Sequence, residues 1–314
     1  MAVYLITGGS GFIGSHIAEM LLTDSDHEVR IYDNLSSGHK KNIANLSGQV
    51  VFFEDDVRDT QALSSAMAGV DYVFHEAALV SVIDSVHRPR DNHEINLTGT
   101  LNVLETAQKS GVKRVVLASS AAIYGNDLTL PKQETMRPQP ESPYGLAKIG
   151  KEYYARIFST LYDLPVVALR YFNVYGPRQD PKSAYSGVIS IFVDRVLNND
   201  AITIFSDGEQ SRDFVFVKDV AKANLLAMHA DNIKGGEVFN VATGESVSLL
   251  HLLKAIQDIE GSHVTPTFGP ERAGDIRHSA ADITLAQSIL GFKPDYSLSD
   301  GLAELVAFCK AEQA

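Results

Sequence analysis

The chain has a single cysteine, Cys309, in 314 residues. An intramolecular disulfide is therefore impossible, which fits a reducing cytoplasm. Beside Phe308, Cys309 reads as a packing residue. No run of 18 apolar residues occurs, so no membrane-spanning helix is expected. The opening MAVYLITGG has neither a charged n-region nor a cleavage site, and reads as a first strand rather than a signal peptide. Positive charge is scarce: 27 Lys and Arg stand against 39 Asp and Glu, a formal net charge of -12. A nucleic-acid surface is disfavoured, and a phosphate-bearing ligand needs local help from arginines or helix N-termini. Repeats, low-complexity tracts and heptads are absent. His16, His27, His87 and His93 have no metal-ligand spacing with partners, so no metal is expected.

What is present is ordinary for a globular chain, 45% hydrophobic and 21% charged. The length suits two domains, or one with an attached lobe. Short β-branched or aromatic runs at 3–7, 29–32, 50–53, 72–74, 114–118 and 166–169 alternate with helix-like segments near 14–22, 60–68, 92–109 and 144–162. This alternation predicts an α/β fold with a doubly wound parallel sheet. The uninterrupted runs VVFF, YVF, VVLA and VVAL suit strands buried on both faces. In 144–162, Leu146, Ile149, Tyr153, Ile157 and Leu161 recur at helical spacing. The rhythm breaks after about residue 172. A first domain over 1–172 and a smaller, interleaved lobe over 173–314 are expected, with EVFNVATG, 237–244, returning to the sheet.

TGGSGFIG follows the first strand. Gly8, Gly11 and Gly14 allow a tight turn, close backbone approach to a pyrophosphate, and close helix–strand packing, in that order. The helix N-terminus then faces the anion. Asp33, 19 residues past Gly14 at the end of the second strand, suits the ribose hydroxyls of NAD. It would repel the extra phosphate of NADP, and no arginine adjoins it: Asn34 follows, and the nearest cations are Lys40 and Lys41. Asp56, in FEDDVRD, is a candidate for the adenine amide, while Asp59 reads as a helix cap. Ala77 and Ala78, after the fourth strand, are small enough for a cofactor to lie on the backbone. His75 reads as a hydrogen-bonded core residue rather than a base.

ASSAAIYG ends the fifth strand, and ligands in doubly wound sheets sit beyond the carboxyl ends of strands. Ser119 and Ser120 are thus placed beside the cofactor. SPYGLAK opens a helix with Pro143 in its first turn, and Tyr144 and Lys148, four residues apart, share one face of it. A free tyrosine, with a pKa near 10, is a poor base at neutrality. Positive charge from a lysine and an oxidised nicotinamide favours tyrosinate, and a base poised nearer the working pH transfers protons better.

TGGSGFIG, DNLSSG, HEAALVSV, SSAAIYG and YGLAK, in this order, resemble the extended short-chain dehydrogenase/reductase superfamily. RYFNVYGPRQDP, SAYSGVISIF, SDGEQSRDFVFVKDVA and ERAGDIRHSAAD extend the resemblance to the nucleotide-sugar 4-epimerases, over residues 3 to about 295. The resemblance implies a Rossmann domain holding NAD. Phe12, Ile13, Asn34, Ser36, Gly38, Val57, Asn96 and Tyr171 join the residues above around the cofactor. Tyr144 becomes the base that takes the sugar 4-hydroxyl proton, Ser120 holds or relays that proton, and Lys148 anchors the nicotinamide ribose. Where the dehydratase and decarboxylase branches carry acids, this chain has Ala121 and Ala122, which argues for simple oxidation and return.

For a UDP-sugar, the resemblance places Asn173 and the arginines Arg212 and Arg272 at the diphosphate, where a guanidinium fork suits phosphate. It places Thr203 and Phe205 at the uracil, Asp275 at the nucleotide ribose, and Gly187, Val188 and Ile189 in a loop over the UDP. Ser81 stands near the sugar. Ser279 occupies the position where epimerases limited to unacetylated hexoses carry a tyrosine, so room is left for an N-acetyl group. The implied substrates are UDP-N-acetylglucosamine (UDP-GlcNAc) and UDP-N-acetylgalactosamine (UDP-GalNAc), with UDP-glucose and UDP-galactose as further ones. A UDP-glucose 4-epimerase proper, a UDP-glucuronate 4-epimerase and a non-catalytic dinucleotide-binding redox sensor are the alternatives. A homodimer through the helices over 92–109 and 144–162 is also implied, with Leu101, Val103, Leu104 and Ala107 as its apolar residues.

Overall fold

A computed structural model describes residues 1–23, 27–46, 48–180, 187–271 and 277–313. The strands are β1 (Val3–Thr7), β2 (Glu28–Tyr32), β3 (Val50–Phe53), β4 (Tyr72–His75), β5 (Arg114–Ser120), β6 (Val166–Tyr171), β7 (Asn173–Tyr175), β8 (Thr203–Phe205), β9 (Ser211–Arg212), β10 (Phe214–Phe216), β11 (Val238–Val241), β12 (Val247–Ser248) and β13 (Thr267–Gly269). The helices are α1 (Phe12–Thr23), α2 (Thr60–Met67), α3 (Val82–His87), α4 (Pro89–His93), α5 (Gly99–Lys109), α6 (Pro143–Leu161), α7 (Val188–Leu197), α8 (Val217–His229), α9 (Leu249–Glu260), α10 (Thr284–Leu290) and α11 (Leu298–Gln313).

Seven strands form one sheet in the order β11-β6-β5-β4-β1-β2-β3, and every neighbouring pair is parallel. β11 pairs with β6, Val238 opposite Ala168, so the expected returning strand closes the sheet edge. Because side chains alternate along a strand, consecutive residues feed opposite cores. Ile6, Val116 and Leu169 pack with Ile17 and Val220 of α1 and α8. Leu5, Leu117 and Ala168 pack with Leu63, Val103 and Phe158 of α2, α5 and α6. A further core, with Ile189, Phe192, Phe214, Leu252 and Leu302, is built from residues after 172.

β1 has β2 on one side and β4 on the other. Connections leave it in opposite directions, so a crevice opens at the carboxyl ends of β1 and β4, where ligands bind in open α/β sheets.

Two helices differ from the sequence reading. The segment expected as one helix over 92–109 is α4, a π-helical stretch at Glu94–Thr98, and then α5. Such widened turns recur at functional sites. On α5, Val103, Leu104 and Ala107 are fully buried within this chain, so they are not available to a second one. On α6 the predicted apolar stripe is split: Ile149 is buried, whereas Leu146 is 60% exposed, Tyr153 58%, Ile157 41% and Leu161 72%. The buried face carries Tyr144, Lys148, Lys151 and Glu152 beside Ala147, Ile149, Ala155 and Phe158.

Candidate active site

The glycine turn is shaped by its lack of side chains. Gly8 has φ +70°, and a Cβ there would lie 2.7 Å from the Ala77 backbone nitrogen. A Cβ on Gly14 would collide with the Gly8 carbonyl, which leaves α1 hard against the turn. The first N–H groups of a helix have no partner within it, so the start of α1 offers donors to an anion.

Asp33 locks this turn. Its Oδ2 accepts from Ser10 N–H at 2.9 Å and its Oδ1 from Leu35 N–H at 2.8 Å. Burial raises its carboxyl above the usual range, against the pull of these donors. Each oxygen has acceptor capacity left for a hydroxyl. Buried Gly38 is pressed against that carboxylate; a Cβ there would lie 2.8 Å from Oδ2. Exposed Asn34 accepts from Ser36 N–H and donates to Asp56. Asp56 is also forked by Arg58, with Nε–Oδ1 and Nη2–Oδ2 both 2.8 Å, which holds its carboxyl down to about 2. Asp59 caps α2, accepting from Gln61 and Ala62 N–H. Val57 is buried beneath Gly99. Phe12 and Ile13, half-buried, open α1, and Ala77 and Ala78, also half-buried, face the turn from beyond β4. A close-approach cradle with an acidic ribose position fits a dinucleotide.

The proposed catalytic helix is pinned at its start. Ser142 caps it through Gly145 N–H at 3.1 Å, and Tyr144 N–H donates to Ser85 Oγ at 3.1 Å. Tyr144 is 9% exposed and Lys148 2%. Lys148 Nζ donates to the Ala118 carbonyl at 2.9 Å and lies 5.4 Å from the Tyr144 ring centroid. Ser120, at the end of β5, caps a 3-10 turn, Ala121–Tyr124, accepting from Ala122 N–H at 3.1 Å. Tyr144, Lys148 and Ser120 are therefore gathered around the end of β5.

Ser119 is engaged one turn further along the inward face of α6. Its hydroxyl donates to Glu152 Oε1 at 2.5 Å inside the core. Asn96 lies in the π-helical stretch and is fully buried. Its amide clamps the N–H and C=O of Leu79 and donates to Asn92. Asn92 in turn donates to the Pro143 carbonyl at 2.9 Å. These amides tie the loop after β4 to the start of α6. Tyr171 Oη donates to Glu76 Oε1 at 2.9 Å and accepts from Asn224. His75 is a core residue as read: Thr100 donates to the Asn96 carbonyl, so its oxygen accepts from His75 Nε2, while Nδ1 meets Thr7 Oγ1 at 2.7 Å. Burial holds this imidazole well below its usual pKa, neutral.

Of the later substrate candidates, Asn173 follows the end of β6, where Tyr171 lies opposite Ser120. Asn173 Nδ2 donates to the Asp213 carbonyl at 2.9 Å, next to Arg212. Buried Asp213, between β9 and β10 in the chain, receives Thr243 N–H and hydroxyl, Gly244 N–H and Ala281 N–H, which ties this segment to the loops after β11 and before α10. Ser279 N–H donates to the Ser211 carbonyl at 3.0 Å, so Ser279 is stitched beside Arg212. Thr203 and Phe205 lie on β8, paired with β13, and a Cβ on Gly269 would sit 3.1 Å from the Phe205 ring. Gly187 caps α7 and Val188 begins it. Ile189 is turned into the core, 1% exposed, rather than over a ligand. Ser81 caps α3 through Asp84 N–H at 2.8 Å. Arg272 and Asp275 lie outside the described residues.

Ser85, Asn92, Glu152 and Arg170 went unnoticed in the sequence. The four-residue spacings Asn92–Asn96 and Lys148–Glu152 were the available signal.

A family model described as the NAD dependent epimerase/dehydratase family matches residues 4–242. The chain belongs to that family. NAD is the family's cofactor, and the cradle fits it. The UDP-glucose 4-epimerase of Mycolicibacterium smegmatis is 39% identical, over 97% of both chains. The UDP-N-acetylglucosamine 4-epimerase of Methanobrevibacter ruminantium, solved in complex with UDP-N-acetylmuramic acid, superposes with a TM-score of 0.94 at 39% identity, over 99% of both chains. The UDP-glucose 4-epimerase of Thermus thermophilus, solved in complex with NAD, superposes with a TM-score of 0.88 at 36% identity, over 98% of this chain and 99% of that one.

Proposed function

We propose that this NAD-dependent nucleotide-sugar 4-epimerase interconverts UDP-GlcNAc and UDP-GalNAc, and also accepts UDP-glucose and UDP-galactose. Convergence of Tyr144, Lys148 and Ser120 at the end of β5 carries the reading. NAD, when bound, accepts a hydride from sugar C4 and gives it back. Residues 1–172 with the returning strand form its domain, and 173–314 form mainly the UDP-sugar lobe. Gly8, Gly11, Phe12, Ile13 and Gly14 cradle its diphosphate. Asp33, with Asn34, Ser36 and Gly38, takes a ribose, and Asp56 and Val57 flank the adenine.

Tyr144 removes the 4-hydroxyl proton as C4 loses its hydride, leaving a ketone. Lys148 supplies positive charge beside the phenol and holds the nicotinamide ribose. Ser120 holds or relays the proton. Turned over in the site, the ketone regains hydride on its other face and the proton from Tyr144, so the configuration at C4 inverts with no net redox change. Asn173 and Arg212 bind the diphosphate and Arg272 assists. Thr203 and Phe205 take the uracil, Asp275 the ribose, and Gly187 and Val188 border the nucleotide. Ser81 and Ser279 meet the sugar. A UDP-glucose 4-epimerase proper and a UDP-glucuronate 4-epimerase remain the alternative substrate readings.

The test is epimerisation by purified protein without added NAD, offering UDP-GlcNAc, UDP-glucose and UDP-glucuronate separately, with products read by NMR. Conversion of UDP-GlcNAc is expected. Conversion of UDP-glucose or UDP-glucuronate alone would move the assignment to that sugar. Turnover of none, with NAD bound, would favour a dinucleotide-binding sensor.

The outward stripe Leu146, Tyr153, Ile157 and Leu161 on α6 supports a homodimer through that helix. A monomeric mass by light scattering would remove it.

A further inference from the structure

Glu76 is a hemmed-in carboxyl group that the reaction above does not use. It follows β4 directly, at the point where connections diverge around β1. Its N–H donates to the Thr7 carbonyl at 3.0 Å, and a Cβ on Gly8 would lie 2.9 Å from its carbonyl carbon. Its side chain reaches toward the end of β6, where Tyr171 Oη donates to Oε1 at 2.9 Å. β5 lies between β4 and β6. The carboxylate therefore lies on the edge bounded by the glycine turn, Ser120 and Tyr171.

The charged groups acting on it come from one side. Burial raises its carboxyl, while the Tyr171 hydroxyl and then the side chains of Lys148 and Lys151, on α6, pull it down. Asn224, the α8 residue that meets Tyr171, is neutral. A cationic ring laid over this edge would add to the pull toward the ionised form.

We propose that Glu76 is the counter-charge of the nicotinamide ring, and that its carboxylate favours cationic NAD over neutral NADH in the resting protein. This rests on the reading of the site as a 4-epimerase. In such an enzyme the hydride has to return to the sugar. A ketone that leaves first strands the protein with reduced cofactor. A fixed negative charge beside the ring opposes that state, and charge near a cofactor is one way a protein tunes it.

The experiment is a redox titration of the holoenzyme, following the NADH absorbance band, for wild type, Glu76→Gln and Glu76→Asp. In Glu76→Gln the side-chain oxygen still accepts from Tyr171 but the charge is gone. The NADH:NAD ratio at fixed ambient potential should rise about tenfold, which for a two-electron couple is about 30 mV. Glu76→Asp keeps the charge, loses the reach to Tyr171, and should stay near wild type. The reverse pattern, with Asp shifted and Gln unshifted, would overturn the proposal in favour of a packing role, and no shift in either would overturn it outright. If Glu76→Gln loses its cofactor on purification, NAD and NADH binding to the stripped protein gives the same ratio by linkage. A tenfold relative loss of NAD affinity is expected, and an unchanged ratio would overturn the proposal. Wild-type protein that retains NAD but epimerises no UDP-sugar would instead refute the reading beneath it.

Discussion

Arg170 on β6 grips Glu152 on α6 with two hydrogen bonds, Nε–Oε1 at 2.9 Å and Nη2–Oε2 at 2.7 Å, and both side chains are 4% exposed. Glu152 stands one turn beyond Lys148. The pair therefore sets how α6 lies on the sheet, and with it where Tyr144 and Lys148 reach. Arg170 also donates to Tyr124 Oη at 2.8 Å, and Tyr124 donates to Asn240 on β11. The network crosses from the proposed catalytic helix to the returning strand.

Breaking one side of that pair leaves a buried charge alone. Glu152→Gln should cost about 3–5 kcal/mol of unfolding free energy, measured by denaturant titration. Replacing both partners by apolar residues should cost less than either single change. A single-variant loss below about 1 kcal/mol would place the pair in effectively solvated surroundings.

Tyr144→Phe removes only the phenolic oxygen. The protein should purify with NAD and show turnover reduced by about two to four orders of magnitude, the range general acid–base catalysis supplies. Near-normal turnover, read by NMR of the product sugar, would refute Tyr144 as the base.

Lys151 is fully buried, and its Nζ has no hydrogen-bond partner among the described residues. Burial first, then repulsion from Lys148, pushes the amine well below its usual range, with Glu76 opposing. The unfolded chain thus binds a proton at this position that the folded chain resists. Stability should rise with pH until the free-lysine value near 10.4 is passed. Lys151→Met should be more stable than wild type at neutral pH by about 1–3 kcal/mol, with the gap narrowing as the pH rises toward about 10.4. A gap that holds constant or widens in thermal melts would mean the amine is paired or hydrated.

Ser279→Tyr should suppress kcat/KM for UDP-GlcNAc more than for UDP-galactose, by about 10- to 200-fold, the span a small group is worth in a pocket. Equal loss on both would show that this position does not gauge the sugar 2-substituent.

Much of the frame was legible along the chain because its determinants are local. Strand runs, the three glycines, Asp33 and the SPYGLAK turn each depend on neighbours within a few residues, and all appear at the expected ends of strands. The inside of α6 was not legible. Apolar spacing marked Leu146, Ile149, Tyr153, Ile157 and Leu161 as one stripe, yet all of it but Ile149 faces outward. The inward face holds Lys148, Lys151 and Glu152, tolerable there because Ala118, Ser119 and Arg170 receive two of the three. Ser119 and Asn96 show the same limit, since their partners lie 33 and 17 residues away. By itself, then, the sequence determined the parallel sheet, the dinucleotide turn and the tyrosine–lysine helix, since each follows from short-range periodicity and backbone freedom. The tertiary structure alone decided which face of that helix is buried and what holds Asn96. It also decided that Glu76 lies beside the end of β5, because those choices depend on which distant groups can satisfy a buried charge or amide.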